Sequence, residues 1–265
     1  MDSVVTPSLP IVGITTWRRE LTTYLGPGTD LHTLGVEYVR CLENAGVQPV
    51  LLASPQHAAA VLERLDGVVL SGGGDVHPAS YGEQASQGDE YDLERDEAEV
   101  ALVDEARRLG MPVLGICRGL QVIGIARGVT LVPDLPRTDE HPRPHDPQDI
   151  LDARQKVSIT AHSRLATIFS SDQIVVNSIH HQALAEVPIG FRPAAHSQDG
   201  YLEGIEGVAD DWYCVGVQWH PEKMGHPGEA EQQALLFADF AAACSRYASS
   251  AQSWAKNHRR EKVEV

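Results

Sequence analysis

The chain has 265 residues, with 37 acidic against 21 basic side chains and a formal net charge of −16. That balance repels a phosphate backbone and an anionic bilayer surface alike, so neither nucleic acid nor a membrane is an expected partner. A 42% hydrophobic and 22% charged composition belongs to a globular chain able to bury a sizeable core. A single domain over 1–265, with its core at about 10–245, is the simplest organisation.

Residues 10–14 read as a first strand. Residues 31–45 read as a helix, with Leu34, Val36, Tyr38, Val39 and Leu42 broadly on one side and Gly46 as its stop. A strand is expected at 47–52, a short helix at 58–65, and a strand at 67–70 that runs into Gly72-Gly73-Gly74. Residues 94–110 form an amphipathic helix, with Ala98, Leu102, Ala106 and Leu109 as its apolar stripe. A buried-type strand at 112–116 and a helix at 119–127 follow. This alternation predicts an α/β fold with a mainly parallel sheet covered on both faces. The second half is more β-like, with strands at 156–160, 174–177, 204–208 and 214–218 and a closing helix at 229–247. The stretch 134–148, with four prolines and two histidines, is expected as a loop that covers part of the site, and the tail from Asn257 is expected to fray.

Four cysteines, Cys41, Cys117, Cys214 and Cys244, stand far apart with no C-x-x-C pair. They read as reduced thiols, and with no basic-then-apolar leader at 1–10 the expected location is cytoplasmic. No apolar run approaches the roughly 20 residues of a membrane helix.

One cysteine occupies a special place. In Val113-Leu114-Gly115-Ile116-Cys117-Arg118-Gly119-Leu120-Gln121 a buried strand turns directly into a helix, with Cys117 at the turn and glycines two residues away on each side. This is the nucleophile-elbow pattern: the turn is so tight that side chains at Gly115 and Gly119 would collide. The helix N-terminus, and the charge of Arg118, are expected to favour the thiolate, and the Arg118 backbone N–H is a natural oxyanion donor. A buried structural cysteine is the bland alternative. A thiol nucleophile needs an imidazole, and the imidazole needs an orienter. Val215-Gly216-Val217-Gln218-Trp219-His220-Pro221-Glu222 offers both, since residues two apart on an extended segment point the same way. A locally paired strand-end histidine is the alternative.

The loop Ser71-Gly72-Gly73-Gly74-Asp75 lacks a Walker lysine and the G-x-G-x-x-G spacing. It reads as a second oxyanion donor at Gly73, with Gly74 in contact with substrate, or else as a plain tight turn. The cluster Asn177-Ser178-Ile179-His180-His181-Gln182 reads as a binder of substrate carboxylate or amine groups, or as a hydrogen-bonded loop. His77, His141, His145, His180 and His181 show no metal-ligand spacing, so no metal is expected.

Together these motifs resemble class I glutamine amidotransferases and, within them, the gamma-glutamyl-gamma-aminobutyrate hydrolase group. The N-terminal Ile11-Val12-Gly13-Ile14-Thr15, and Val76, Pro78 and Tyr81-Gly82-Glu83 after the glycine loop, fit the same pattern. The resemblance covers about residues 10–245. It implies a three-layer α/β/α flavodoxin-like fold, a Cys117, His220, Glu222 triad, and an oxyanion hole from the backbone N–H groups of Gly73 and Arg118. It also implies a glutamyl pocket lined by Gln121 and by the segment holding Asn177, Ser178, His180 and His181. The implied reaction is hydrolysis of a gamma-glutamyl amine through a cysteine thioester, as in polyamine and putrescine breakdown, without metal or organic cofactor. A glutaminase subunit that feeds ammonia to a synthetase, and a non-enzymatic binding protein on the same fold, are the alternatives. A homodimer is left open, because the sequence does not set the oligomeric state. Two positions depart from the family pattern: Gly124 stands where an Asn is usual, and Gly128-Val129 where a Gly-Gly pair is usual.

Overall fold

The structure, a computed structural model, describes residues 9–53, 58–84, 91–138, 141, 147–209 and 212–261. In chain order come β1 (Ile11–Thr15), a hairpin of β2 (Trp17–Thr23) and β3 (Gly26–Thr33), α1 (Val36–Asn44), β4 (Gln48–Leu52), α2 (Ala58–Leu62), β5 (Gly67–Leu70), α3 (Leu93–Leu109), β6 (Val113–Ile116) and α4 (Arg118–Ile125). There follow β7 (Leu131–Val132), α5 (Pro147–Asp152), β8 (Arg154–Ile159), α6 (Arg164–Phe169), β9 (Gln173–Asn177), β10 (Ala183–Leu184), β11 (Phe191–Ser197), β12 (Leu202–Gly207), β13 (Cys214–Val217) and α7 (Glu229–Glu261).

Nine strands form one sheet in the order β4-β1-β5-β6-β13-β12-β11-β8-β9. From β4 to β13 every pairing is parallel; beyond β13 every pairing is antiparallel. The side-chain period of two sorts each central strand between two cores. On β6, Leu114 and Ile116 join Val12, Ile14, Val215 and Val217 beneath α1, α6 and α7. Val113 joins Val68, Leu70 and Cys214 beneath α2, α3 and α4. The result is the expected three-layer flavodoxin-like α/β fold, widened by an antiparallel wing. Among the described residues, no helix is long and apolar enough to cross a membrane.

The first predicted helix is shorter than expected. Residues 31–33 belong to β3 and pair with Trp17, Arg18 and Arg19 of β2, and α1 starts only at Val36, after the extended Gly35. The apolar spacing that marks α1 is real, with Tyr38 and Leu42 buried, but Leu31 lies on a largely exposed ribbon held by the diagonal Arg18–Asp30 pair. Strand β11 and helix α6 were not expected at all. Pro193 argues against an inner strand, yet a bulge follows it and β8 pairs only with Ala195–Ser197, so the missing N–H breaks no ladder on that side. The closing helix continues to Glu261, past the expected end at Tyr247 and into the stretch expected to fray. Of the 134–148 loop, residues 139–140 and 142–146 lie outside the described residues, and α5 begins inside the expected loop.

A buried ionic network locks α3 against the ends of the central strands. Arg118 donates to both Asp96 and Glu99, and Arg95 donates from Nε to Glu99 Oε1 at 2.8 Å. From its other end Arg95 Nη2 reaches Ser71 O at 3.2 Å and Gly72 O at 3.1 Å. The remaining Asp96 oxygen accepts the His77 N–H at 2.7 Å and the Ser80 hydroxyl at 3.2 Å. Burial would push the Glu99 carboxyl up, but the two guanidinium groups outweigh it and hold the group below its ordinary value. For Asp96, burial wins over Arg118 and the value is raised. Removing one partner from such a set leaves buried charge uncompensated, at a cost of about 3–5 kcal/mol. Glu99→Ala is therefore expected to lose stability of that order in urea unfolding, and a loss below about 1 kcal/mol would contradict this account of the network.

Candidate active site

Three neighbouring parallel strands, β5, β6 and β13, end side by side, and each delivers one part of a single polar cluster. Their register sets Leu70 opposite Gly115, and Ile116 opposite Val217. From β6 the chain passes through Cys117, whose φ of 54° and ψ of −107° turn the backbone sharply into α4. The close approach needs both glycines. A Cβ on Gly115 would lie 2.7 Å from the Gly119 carbonyl, and one on Gly119 would drive into the Leu70 carbonyl. The Cys117 N–H donates to Val217 O at 2.8 Å, so the elbow is tied to the strand that leads to the histidine.

Beyond β13 the chain bends, and residues Pro221–Lys223 form a 3-10 turn. His220 and Glu222 do meet, with Nδ1 2.6 Å from Glu222 Oε1. The turn, rather than the alternation of an extended strand, makes the pair. Asn177 fixes the backbone there: its Oδ1 accepts the His220 N–H at 2.8 Å and its Nδ2 donates to His220 O at 2.7 Å. The Cys117 sulfur is close enough to the imidazole to act on it electrostatically. Burial by itself would push the imidazole down, but the Glu222 carboxylate and the Cys117 sulfur outweigh it and hold His220 well above its ordinary value. Gly72 closes off the ring, since a Cβ there would lie 2.6 Å from His220 Cε1.

The thiol lies in a cavity of about 90 Å³ whose lining includes Gly73, Gly74, Arg118, Gln121, His180 and His181. A larger cleft of about 640 Å³ opens at the opposite ends of β6 and β13, beside Arg164, Tyr213 and Asp239. It borders Cys214, whose thiol is raised far above its ordinary value by burial. Cys244 is likewise raised by burial, and Cys41 is pushed up to about 11, by burial first and then by Glu222 and Glu37. All four cysteines are unpaired.

Gly73 and Arg118 therefore border one cavity with the sulfur. Arg118 opens α4, and the first N–H groups of a helix have no partner within it. Its side chain runs the other way, into Asp96 and Glu99, so the charge expected to act on the sulfur is already balanced. Gly73 has no room for a side chain, because Arg95 and the Trp17 ring occupy the space a Cβ would need. Gln121 Nε2 donates to Gln182 O at 3.2 Å, fixing the cavity wall. Asn177 and Ser178 are buried outside the cavity lining, and Asn177 is spent on the His220 backbone rather than on the pocket. His180 borders the cavity but turns its ring inward, with Nδ1 3.1 Å from Gln182 O. His181 sits between Asp75 and Asp134 at 3.0 and 3.1 Å.

Two participants were not singled out from the sequence. Gln218 Nε2 points at the Cys117 sulfur at 3.6 Å. The Tyr38 hydroxyl accepts the Gly72 N–H at 3.0 Å and lies against Glu222; burial first, then Glu222, raises it well above its ordinary value, so it stays protonated. Gln218 stood within a quoted motif, whereas Tyr38 was indistinguishable from an apolar helix face. The family departure at Gly124 has a structural counterpart, because Leu184 fills the space a side chain there would need.

The model of the Peptidase C26 family matches residues 10–222. Protein NtpR of Enterococcus hirae is 33% identical over 233 residues, covering 86% of this chain and 97% of that one. The gamma-glutamyl-gamma-aminobutyrate hydrolase PuuD of Escherichia coli is 30% identical over 257 residues, covering 92% and 96%. A glutamine amidotransferase of Thermotoga maritima shares the fold at a TM-score of 0.60 and 16% identity, covering 90% and 99%. The chain belongs to the Peptidase C26 family, within the class I glutamine amidotransferase-like proteins.

Proposed function

We propose that the chain hydrolyses the gamma-glutamyl amide bond of a gamma-glutamyl amine. The observation that carries this reading is the series Cys117, His220, Glu222 assembled on adjoining strand ends, with the backbones of Gly73 and Arg118 bordering the same cavity. The likeness to the Escherichia coli hydrolase over 96% of that protein supports the substrate class.

In this reading the Cys117 sulfur attacks the gamma-carbonyl and forms a C–S bond. The N–H groups of Gly73 and Arg118 stabilise the oxyanion, each contributing on the order of 10²–10³ in rate. The imidazolium of His220, kept charged by Glu222, gives its proton to the leaving nitrogen as the C–N bond breaks. Neutral His220 then takes a proton from water, which attacks the thioester, releases glutamate and restores the thiol. Glu222 fixes the tautomer by accepting from Nδ1, and Asn177 positions the ring through its backbone. The chemistry calls for no metal or organic cofactor at the thiol. Cytoplasmic residence and a role in polyamine breakdown fit this substrate class.

The first test is glutamate release from gamma-glutamyl-gamma-aminobutyrate, gamma-glutamylputrescine and glutamine, with Cys117→Ala as control. Release from the amines that disappears in the variant is expected. Release from glutamine alone would favour an ammonia-supplying glutaminase instead, and no release from any of them would overturn the assignment. Glu222→Gln removes the carboxylate that raises the His220 pKa. The fall of kcat/KM on the alkaline side, where imidazolium is lost, is then expected to begin at lower pH than in the wild type. An unmoved alkaline limb would dissociate Glu222 from His220. Asn177→Ala is expected to lower kcat by on the order of tenfold or more while leaving KM nearly unchanged, as misplacement of a reacting group does. A rise in KM alone would return Asn177 to substrate binding.

A further inference from the structure

Behind the wall of the thiol cavity, three buried side chains from separate parts of the chain turn their polar ends toward one point. His141 comes from the turn after β7, His180 from the segment after β9, and Glu203 from β12. Their potential ligand atoms all lie within 4.8 Å of one another. His141 Nε2 is 3.5 Å and His180 Nε2 3.4 Å from Glu203 Oε1. Both Nε2 atoms and both carboxylate oxygens of Glu203 are buried without a hydrogen-bond partner. Orphaned buried polar atoms are rare and costly, and four of them converging on one spot call for an occupant.

We infer that this cluster is a binding site for a divalent cation of the zinc class. The far side of each ring is already committed. His180 Nδ1 lies 3.1 Å from the Gln182 carbonyl, which can only accept, so Nδ1 carries a proton and Nε2 is the ring atom left to face the centre. His141 Nδ1 lies 2.9 Å from Asp199 Oδ2, and Ser197 donates to the other Asp199 oxygen at 2.6 Å. A ring N–H bonded to a carboxylate or a carbonyl, with Nε2 turned to the metal, is the orientation that outer partners impose on histidine ligands. The two rings stand edge to face at 85°, with centroids 5.4 Å apart. Donors about 2.0–2.1 Å from a tetrahedral ion sit about 3.3–3.4 Å from each other, close to the histidine–glutamate separations observed. Two imidazoles and one carboxylate are a borderline N/O donor set that suits zinc. Gln155 lies beside Glu203, and its buried amide, also without a hydrogen-bond partner, offers a further oxygen.

The ligands show no short spacing because they are delivered by tertiary structure. Strands β7 and β10 pair, Leu135 donates to His181 O at 2.7 Å, and so the chain leading to His141 is laid against the His180 segment. The ion would pin both to the sheet. The site is separate from the thiol but coupled to it through the backbone, since Gln218 N–H donates to Glu203 O at 2.9 Å and the Gln218 side chain contacts the sulfur. The inference is independent of the hydrolase reading.

The test uses the full chain, stripped with a chelator and checked for folding by circular dichroism. Titration with Zn²⁺ is followed by calorimetry and by thermal unfolding, in the wild type and in Cys117→Ala to remove the reactive thiol. About one equivalent bound in both, with a rise in Tm, is the expected result. Glu203→Gln, which keeps the shape, and His141→Ala are expected to lose this binding. Asp199→Asn, which only orients His141, is expected to weaken it about 10–100-fold. Co²⁺ in the same site should give a tetrahedral spectrum without sulfur-to-cobalt charge transfer. Absence of binding by the folded wild type, binding unchanged in Glu203→Gln and His141→Ala, or binding lost in Cys117→Ala alone would each overturn the assignment.

Discussion

Two guanidinium groups and two carboxylates share the space behind the thiol cavity, and the rest of the site depends on their mutual neutralisation. Withdrawing four charges from water is expensive, and only close pairing with further hydrogen bonds offsets it. Here the pairing is complete. Arg118 is held by Asp96 and Glu99, and Arg95 bridges Glu99 to the carbonyls of Ser71 and Gly72. The same residues are thereby parts of α3, the elbow and the glycine loop. Movement of any one of these would unpair a buried charge, so the backbones bordering the cavity are fixed relative to one another. A preformed arrangement of this kind is what electrostatic stabilisation of a developing charge requires, since nothing needs to reorganise during reaction.

The parallel half of the sheet explains why the parts converge. Strands β5, β6 and β13 are adjacent in space but come from distant stretches of sequence, and each ends at the same edge. The glycine loop, the elbow and the histidine turn are what the chain does on leaving those strands. The antiparallel wing contributes differently. It brings β9, whose last residue Asn177 grips the backbone of His220, and β12, whose Glu203 reaches the pair of buried histidines.

Much of this was legible from local pattern. The elbow could be read because a tight strand-to-helix turn demands small residues at Gly115 and Gly119, and the structure shows both positions without space for a Cβ. The central strands could be read because buried parallel strands are short apolar runs. The hairpin over Trp17–Thr33 could not, because its strands are largely exposed and lack a buried alternating face. Strand β11 was hidden by Pro193, whose acceptability depends on where β8 stops pairing, a fact of register and not of composition. The same limit applies to side chains that act through tertiary contact. Asn177 looked like a pocket residue because of its polar neighbours, and its use on His220 is set by how β9 lies against the 3-10 turn. Tyr38 sits on a helix face whose spacing signals only burial.

The conformation of Cys117 carries a cost that reaches beyond this molecule. A cysteine at a φ of 54° occupies backbone space that L-residues avoid and that glycine enters freely. Sparsely populated backbone conformations of this kind cost on the order of 1–3 kcal/mol and persist where the surrounding structure overdetermines them. Stability alone would favour glycine at position 117, and under the proposed chemistry the thiol is what offsets that preference. If the proposed hydrolysis is what keeps cysteine at this elbow, a descendant that had lost the reaction would be free to carry glycine there.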